Sequence, residues 1–293
     1  MTNAATRARM SESVNLVEGE FPFTGADFEQ IAKMLYADAG IHLQESKVAL
    51  VYSRLAKRLR VLKLPDFAAY CAFVAGPQGK DERSAMLAAL TTNVTRFFRE
   101  PHHFDLLRDQ VLTPLAAAAR AGQRLRLWSA GCSTGQEPYS MAMTLLSVLP
   151  NAAQLDVRIL ASDIDPNVVA TARAGEYNEE AVSPVPASLR DKYMKRDRTS
   201  GRWVANDELK SLIAFRELNL IGDWPMKGKF DAIFCRNVVI YFDDATQDRI
   251  WARFRALMQP HGRLYVGHSE RVSDLAFDSD GLTAYRLKKG GAA

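Results

Sequence analysis

Leu125 to Ser140 reads LRLWSAGCSTGQEPYS, and this stretch decides the fold. Leu125, Leu127 and Trp128 form a short apolar run that breaks at small residues. Pro138-Tyr139-Ser140-Met141-Ala142-Met143 then has helical character, so the stretch reads strand, tight loop, helix, which is half of a βαβ unit. Gly131 and Gly135 allow the loop to turn sharply and to approach a ligand closely. Loops at the carboxyl ends of parallel strands are where open α/β sheets bind nucleotides. The spacing is Gly-x-x-x-Gly, not the Gly-x-Gly-x-x-Gly of a dinucleotide fingerprint, and Gln136 and Glu137 follow it. A carboxylate there repels phosphate and suits a cation. Taken alone, the two glycines also fit a turn that needs them for geometry only.

Downstream the alternation continues. A helix from Pro138 to Leu149 leads to a second strand, Val157 to Ala161, followed by Ser162-Asp163-Ile164-Asp165-Pro166. Asp163 stands at the strand's carboxyl end, where an acid can hold ribose hydroxyls, while Asp165 caps a helix whose first position is Pro166. Residues 183 to about 211 interrupt the pattern: Tyr193-Met194-Lys195, the turn Asp197 to Gly201 and Trp203-Val204 predict an inserted hairpin. Ile213 to Leu218 resumes the sheet and ends at Asn219-Leu220. Phe230 to Cys235 ends at Arg236-Asn237-Val238-Val239-Ile240-Tyr241. Arg263 to Val266 and Ala284 to Leu287 are expected to pair antiparallel.

Upstream, residues 1 to 20 are polar and aperiodic and read as a flexible tail. Thr24 and Asp27 form a capping-box pattern that opens a helix near residue 25, and Gly40 ends it. Ser46 to Leu62 follows, with Val48, Val51, Tyr52, Leu55, Leu59 and Leu62 as its apolar stripe and Lys47, Arg54, Lys57, Arg58 and Arg60 on much of the remaining surface. This basic surface is either a solvated face or a docking surface for an acidic partner; it lacks the interleaved aromatics of a base-stacking site. Helices from Phe67 to Val74 and Glu82 to Leu90 complete an all-helical domain over residues 21 to 90. Thr91 to Phe104, TTNVTRFFREPHHF, joins it to residues 105–293 and is richer in ligand-capable groups than a linker needs. Asn93, Thr95 and Arg99 can donate hydrogen bonds, and Arg99 offers a fork suited to a carboxylate. His102 and His103 are adjacent, unlike helical metal ligands at i and i+4, and read as structural, so no metal site is expected.

At 293 residues, 47% hydrophobic and 25% charged, the composition is that of a globular protein with room for two domains. Three scattered cysteines suit neither a disulfide framework nor zinc and favour a reducing compartment. With no signal peptide or apolar membrane span, a cytoplasmic protein is expected. A net charge of +4 hints at an acidic partner without naming nucleic acid.

TTNVTRFFRE, GCSTGQEPYS, ASDID, LNL and FCRNVVIYF, in this order behind a small helical domain, resemble the S-adenosylmethionine-dependent chemotaxis-receptor protein-glutamate O-methyltransferases, the CheR family, over about residues 24 to 287. The resemblance implies an α/β fold: a Rossmann-like class I methyltransferase sheet of seven strands with its last pair antiparallel, a small β-subdomain in the insertion, and a helical domain that faces the receptor. It implies S-adenosylmethionine as cofactor, with contacts at Asn93, Thr95, Arg99, Glu137, Asp163, Asn219, Leu220, Cys235, Arg236 and Asn237, and S-adenosylhomocysteine as product. Arg99 and Tyr241 become candidates for orienting carboxylates at the reacting centre, and Arg54, Lys57 and Arg58 for docking a chemoreceptor's acidic helices. A substrate glutamate, with an unperturbed pKa of about 4.3, is ionised at neutral pH, so no general base is required.

Two other classes have some of these features. A nucleic-acid methyltransferase would share the fold, but neither an Asn/Asp-Pro-Pro-aromatic motif nor a Pro-Cys nucleophile is present, Cys235 following Phe234. A noncatalytic receptor-binding scaffold would have lost the cofactor's polar partners, which are all here. A monomer without membrane insertion is expected. The insertion's short turn, crowded by Lys195, Arg196, Arg198 and Arg202, predicts that no tethering peptide on the receptor is needed.

Overall fold

The computed structural model describes residues 14–91 and 93–288, so the expectation for residues 1–13 lies outside the described part. The chain divides into two units, one running to residue 92 and including Tyr241–Asp243, the other comprising Asn93–Ile240 and residues from Asp244 on.

The first unit holds the helices Gly25–Ala39, Val48–Leu62, Phe67–Ala75 and Lys80–Leu90. Thr24 and Asp27 cap the first reciprocally, and Gly40 ends it in the left-handed region at φ 70°. The buried rings of Phe23 and Phe67, 4.3 Å apart, centre its core. The expected tail is shorter than residue 20: Leu16 N–H donates to the Phe23 carbonyl at 2.7 Å and Asn15 bridges Thr24, so this stretch is held against the helix entry.

Two of the three arginine and lysine residues expected to dock a partner are engaged within this unit. Arg54 donates to the carbonyls of Ala89, Leu90 and Thr91, satisfying the end of the fourth helix. Arg58 grips both oxygens of Glu82, at 2.9 and 2.5 Å, and the Tyr70 hydroxyl donates to the same buried carboxylate. Lys57 is the member of the trio that is exposed. Charge reversal at Arg58 is therefore expected to cost about 2 kcal/mol or more of stability through the stranded Glu82, measured by denaturant unfolding, whereas Lys57→Glu leaves stability unchanged.

The second unit is built on a sheet with strand order β6-β2-β1-β7-β8-β10-β9: β1 Leu125–Ala130, β2 Val157–Asp163, β6 Ile213–Glu217, β7 Phe230–Cys235, β8 Met258–Val266, β9 Phe277–Ser279 and β10 Ala284–Leu287. The strands β6, β2, β1, β7 and β8 run parallel, and β10 runs antiparallel to both of its neighbours, β8 and β9. β7 is buried along its whole length, as a central parallel strand covered on both faces must be. The helix Gln136–Val148 carries a buried face onto the sheet, and Tyr139, fully buried, donates to the Ala172 carbonyl. β9 escapes sequence reading because, at three residues with Phe277 as its sole buried member, it offers no alternation.

The insertion forms a second sheet of order β3-β5-β4, with β3 Glu176–Tyr177, β4 Met194–Arg196 and β5 Trp203–Ala205 paired antiparallel. It begins at Glu176 rather than at Ser183, because a two-residue strand leaves no periodicity to detect. The stretch after Glu100 also differs from a linker: α-helical His102–Leu106, π-helical Leu107–Leu112 and α-helical Thr113–Arg120 run on from one another.

Candidate cofactor and methyl-transfer site

β1 ends in the Gly131–Gly135 loop. Gly131 sits at φ 89°, where a side-chain carbon would come 2.3 Å from Val238, and Gly135 at φ 98°, where it would meet the Tyr177 hydroxyl at 2.7 Å. Both positions therefore require glycine for conformation and for space. Of six non-glycine residues at positive φ among the described residues, four lie in the loops of this region: Phe98, Glu100, Ser133 and Asn237. Strained backbone concentrated at one end of a sheet marks a site whose geometry is imposed by its surroundings.

Glu137 opens the helix after the loop and is buried. Ser129 donates to its Oε1 at 2.7 Å and Arg236 to its Oε2 at 3.1 Å. Burial pushes its carboxyl above the usual carboxylate range, against the pull of Arg236 and Ser129. Arg236, at the end of β7, also reaches Glu100 Oε2 at 3.3 Å and donates to the Arg99 carbonyl. Burial works against ionisation of Glu100 as well, yet Arg236 holds its carboxyl below the usual range. One guanidinium thus ties the glycine loop, β7 and the Phe98–Glu100 turn together.

Asp163 ends β2, its Oδ2 accepting the Ser133 N–H at 2.8 Å and its Oδ1 the Asp165 N–H at 3.1 Å. Burial raises its carboxyl, while these two N–H groups oppose the rise. Asp165 caps the following helix through Asn167 N–H and accepts Asn93 Nδ2 at 3.1 Å. Ser133 Oγ donates to the Asn93 carbonyl, so Asn93, Ser133, Asp163 and Asp165 form one network. Asn219 and Leu220 follow β6; Asn219 accepts the Ile221 N–H and Leu220 carries Trp224 and Arg253 on its carbonyl. Cys235 is fully buried, its thiol pushed up by burial. Thr95 is half-buried. Arg99 donates to the Val94 carbonyl at 3.1 Å. Tyr241 groups with the helical unit, where its carbonyl accepts the His42 N–H at 2.8 Å.

Sequence reading missed Ser129, Ser133, Glu100 and Glu270. Glu270 is 3% exposed and accepts backbone N–H groups from Asn237, Val238, Val239 and Gly267 at 2.6 to 2.9 Å, with Ile240 at 3.4 Å. It fixes the loop that carries Asn237. The signal was available: acids near the ends of apolar strands had singled out Asp163, and Glu270 stands in the same relation to β8.

A cofactor with a sulfonium, an amine, a carboxylate and a ribose fits these residues. Two buried carboxylates offer acceptors, and Asn237 Oδ1 is buried with no hydrogen-bond partner among the described residues. Asp163→Ala is expected to weaken binding of S-adenosylhomocysteine by calorimetry, at about 1.5 to 3 kcal/mol for a lost charged hydrogen-bond partner. Unchanged affinity would remove Asp163 from the site.

The parallel sheet with its one reversed strand, β10, and this acidic, glycine-lined loop cluster define the class of Rossmann-like methyltransferases that use S-adenosylmethionine. Residues 93–284 match the family described as CheR methyltransferase, SAM binding domain, and residues 26–91 match CheR methyltransferase, all-alpha domain. The chain belongs to the CheR methyltransferase family. It is 54% identical over 263 residues, 88% of this chain and 98% of the relative, to the "Probable chemotaxis protein methyltransferase" of Rhizobium etli. It is 46% identical to chemotaxis protein methyltransferase 2 of Pseudomonas aeruginosa, covering 86% of this chain and 88% of the relative. With the chemotaxis protein methyltransferase of Escherichia coli it shares 40% identity over 99% of this chain and 100% of the relative.

Proposed function

We propose that this protein methylates the side-chain carboxylates of specific glutamates in the cytoplasmic helices of chemoreceptors, giving methyl esters for sensory adaptation. The observation that carries the reading is Arg99. It lies between two non-glycine residues held left-handed, Phe98 at φ 50° and Glu100 at φ 54°, and its guanidinium donates to a carbonyl rather than to a carboxylate. A planar fork presented this way suits a substrate carboxylate.

S-adenosylmethionine supplies an electrophilic methyl group on a sulfonium. Glu137 is the acceptor for the cofactor's amine and Asp163 for its ribose, each carboxylate having lone pairs beyond those its protein donors use. Arg236 keeps Glu137 oriented. Arg99 orients a carboxylate, and the residues need supply no base because the nucleophile is already ionised. Alignment and exclusion of water are the protein's contribution.

On this reading the helical unit meets the receptor through the exposed side of Val48–Leu62, where Lys57 lies, and the protein acts in the cytoplasm as a monomer. No described helix is long and apolar enough to cross a membrane. Receptor docking does not require a C-terminal tethering peptide. The test uses methyl-labelled S-adenosylmethionine and receptor cytoplasmic fragments with and without their C-terminal tails. Both fragments should be labelled alike, and Glu→Gln replacement at the labelled positions should abolish transfer. Labelling that survives those replacements would reject glutamate as acceptor, and labelling only of tailed fragments would reject peptide independence.

A further inference from the structure

Of the chain's five histidines, three stand around Glu100. Ligand atoms of Glu100, His102 and His103 all lie within 4.8 Å of one another. His102 Nε2 and His103 Nδ1 are each buried with no hydrogen-bond partner among the described residues, and Glu100 Oε2 has the Arg236 guanidinium at 3.3 Å as its ion-pair partner.

His103 is held through its other nitrogen. Nε2 lies 3.2 Å from the Leu282 carbonyl and 2.9 Å from Thr283 Oγ1. The Leu282 carbonyl accepts from Nε2–H in the tautomer that leaves Nδ1 a lone pair, the form an ion would take up; the Thr283 hydroxyl serves either tautomer. Nδ1 faces Glu100 Oε2 at 3.5 Å, and the His103 ring is 0% exposed. An imidazole N–H fixed on a backbone carbonyl is also the arrangement that orients a metal-bound histidine. Adjacency of the two histidines is no obstacle, because His102 offers its distal nitrogen and His103 its proximal one. His268 Nδ1 is 3.4 Å from Glu100 Oε1, and its side chain is 71% exposed, which gives a further donor on the solvent side.

We propose that Glu100, His102 and His103, with His268 at the rim, bind a divalent transition-metal ion of the zinc class. Two imidazole nitrogens and a carboxylate oxygen are a borderline donor set that suits such an ion rather than magnesium or calcium. The ion would take over neutralisation of Glu100 Oε2 from Arg236, which keeps Glu137 and the Arg99 carbonyl as partners. The site is therefore linked to the cofactor loop through one guanidinium.

The test is titration of the full chain, without a polyhistidine tag and stripped by chelator, with cobalt(II) as spectroscopic probe. Saturable appearance of intense visible d–d absorption, reversed by added zinc, is expected. His102→Ala and Glu100→Gln should weaken cobalt binding about tenfold or more. Should Glu100→Gln fail to fold, His102→Ala carries the comparison, with circular dichroism confirming its fold. A spectrum that stays that of the hydrated ion, a parent-like spectrum in folded His102→Ala, or a near-ultraviolet thiolate band placing the ion on a cysteine would each overturn the proposal.

Discussion

Replacing Arg236 by alanine is expected to destabilise the second unit by about 3 to 5 kcal/mol, because it strands two carboxylates that share one guanidinium. The Arg236 side chain is 2% exposed, and Glu137 and Glu100 are 10% and 14% exposed in the same pairs. The effect has a pH signature. Burial already raises Glu137 in the parent, and removing Arg236 takes away the largest influence opposing that rise. A carboxyl whose folded value lies above its unfolded one contributes stability fully below the unfolded pKa of about 4.3 and loses it as pH rises through the folded value. The variant's deficit should therefore be larger near neutral pH than in mild acid. Denaturant unfolding of parent and variant at the two conditions reads the difference directly. Arg236→Lys should recover only part of the loss, since a point charge cannot hold Glu137, Glu100 and the Arg99 carbonyl together.

Glu270→Ala is the second large effect. Its carboxylate collects the N–H groups of Asn237, Val238, Val239 and Gly267, and removal leaves them without an acceptor inside the protein. At about 1 to 3 kcal/mol for each unsatisfied buried group, a loss of at least about 3 kcal/mol is expected even after the loop relaxes. Asn237, held at φ 59°, is then free to leave the left-handed region. Hydrogen exchange should show residues 237–240 losing protection, and calorimetry should show weaker binding of S-adenosylhomocysteine. Glu270→Gln should also be damaged, because its amide nitrogen would face N–H donors. Retained protection in either variant would show that the loop is held by something else.

The parallel strands β1, β2, β6 and β7 were legible because continuous apolar runs ended at small or polar residues, and the polar ends named Asp163, Asn219 and Arg236. The short strands β3 and β9 were not, since two or three residues carry no period. The partners of Glu137 show the same limit: Ser129 precedes it across a loop and Arg236 follows 99 positions later, so no local spacing connects them. On the basic helix, sequence counted Arg54, Lys57 and Arg58 as alike. Their fates differ because Glu82 and the carbonyls of Ala89 to Thr91, from another helix, meet two of them. His102 and His103 looked inert on helical spacing, a rule that ignores which ring nitrogen each presents.

On the proposed function, the bond made is a methyl ester on a glutamate side chain. Receptor fragments labelled by this protein from methyl-labelled S-adenosylmethionine should release volatile methanol in mild base, with the label mapping to glutamate residues before hydrolysis. Label that withstands base, as a methylated nitrogen or carbon would, or no transfer to receptor fragments at all, would contradict the account.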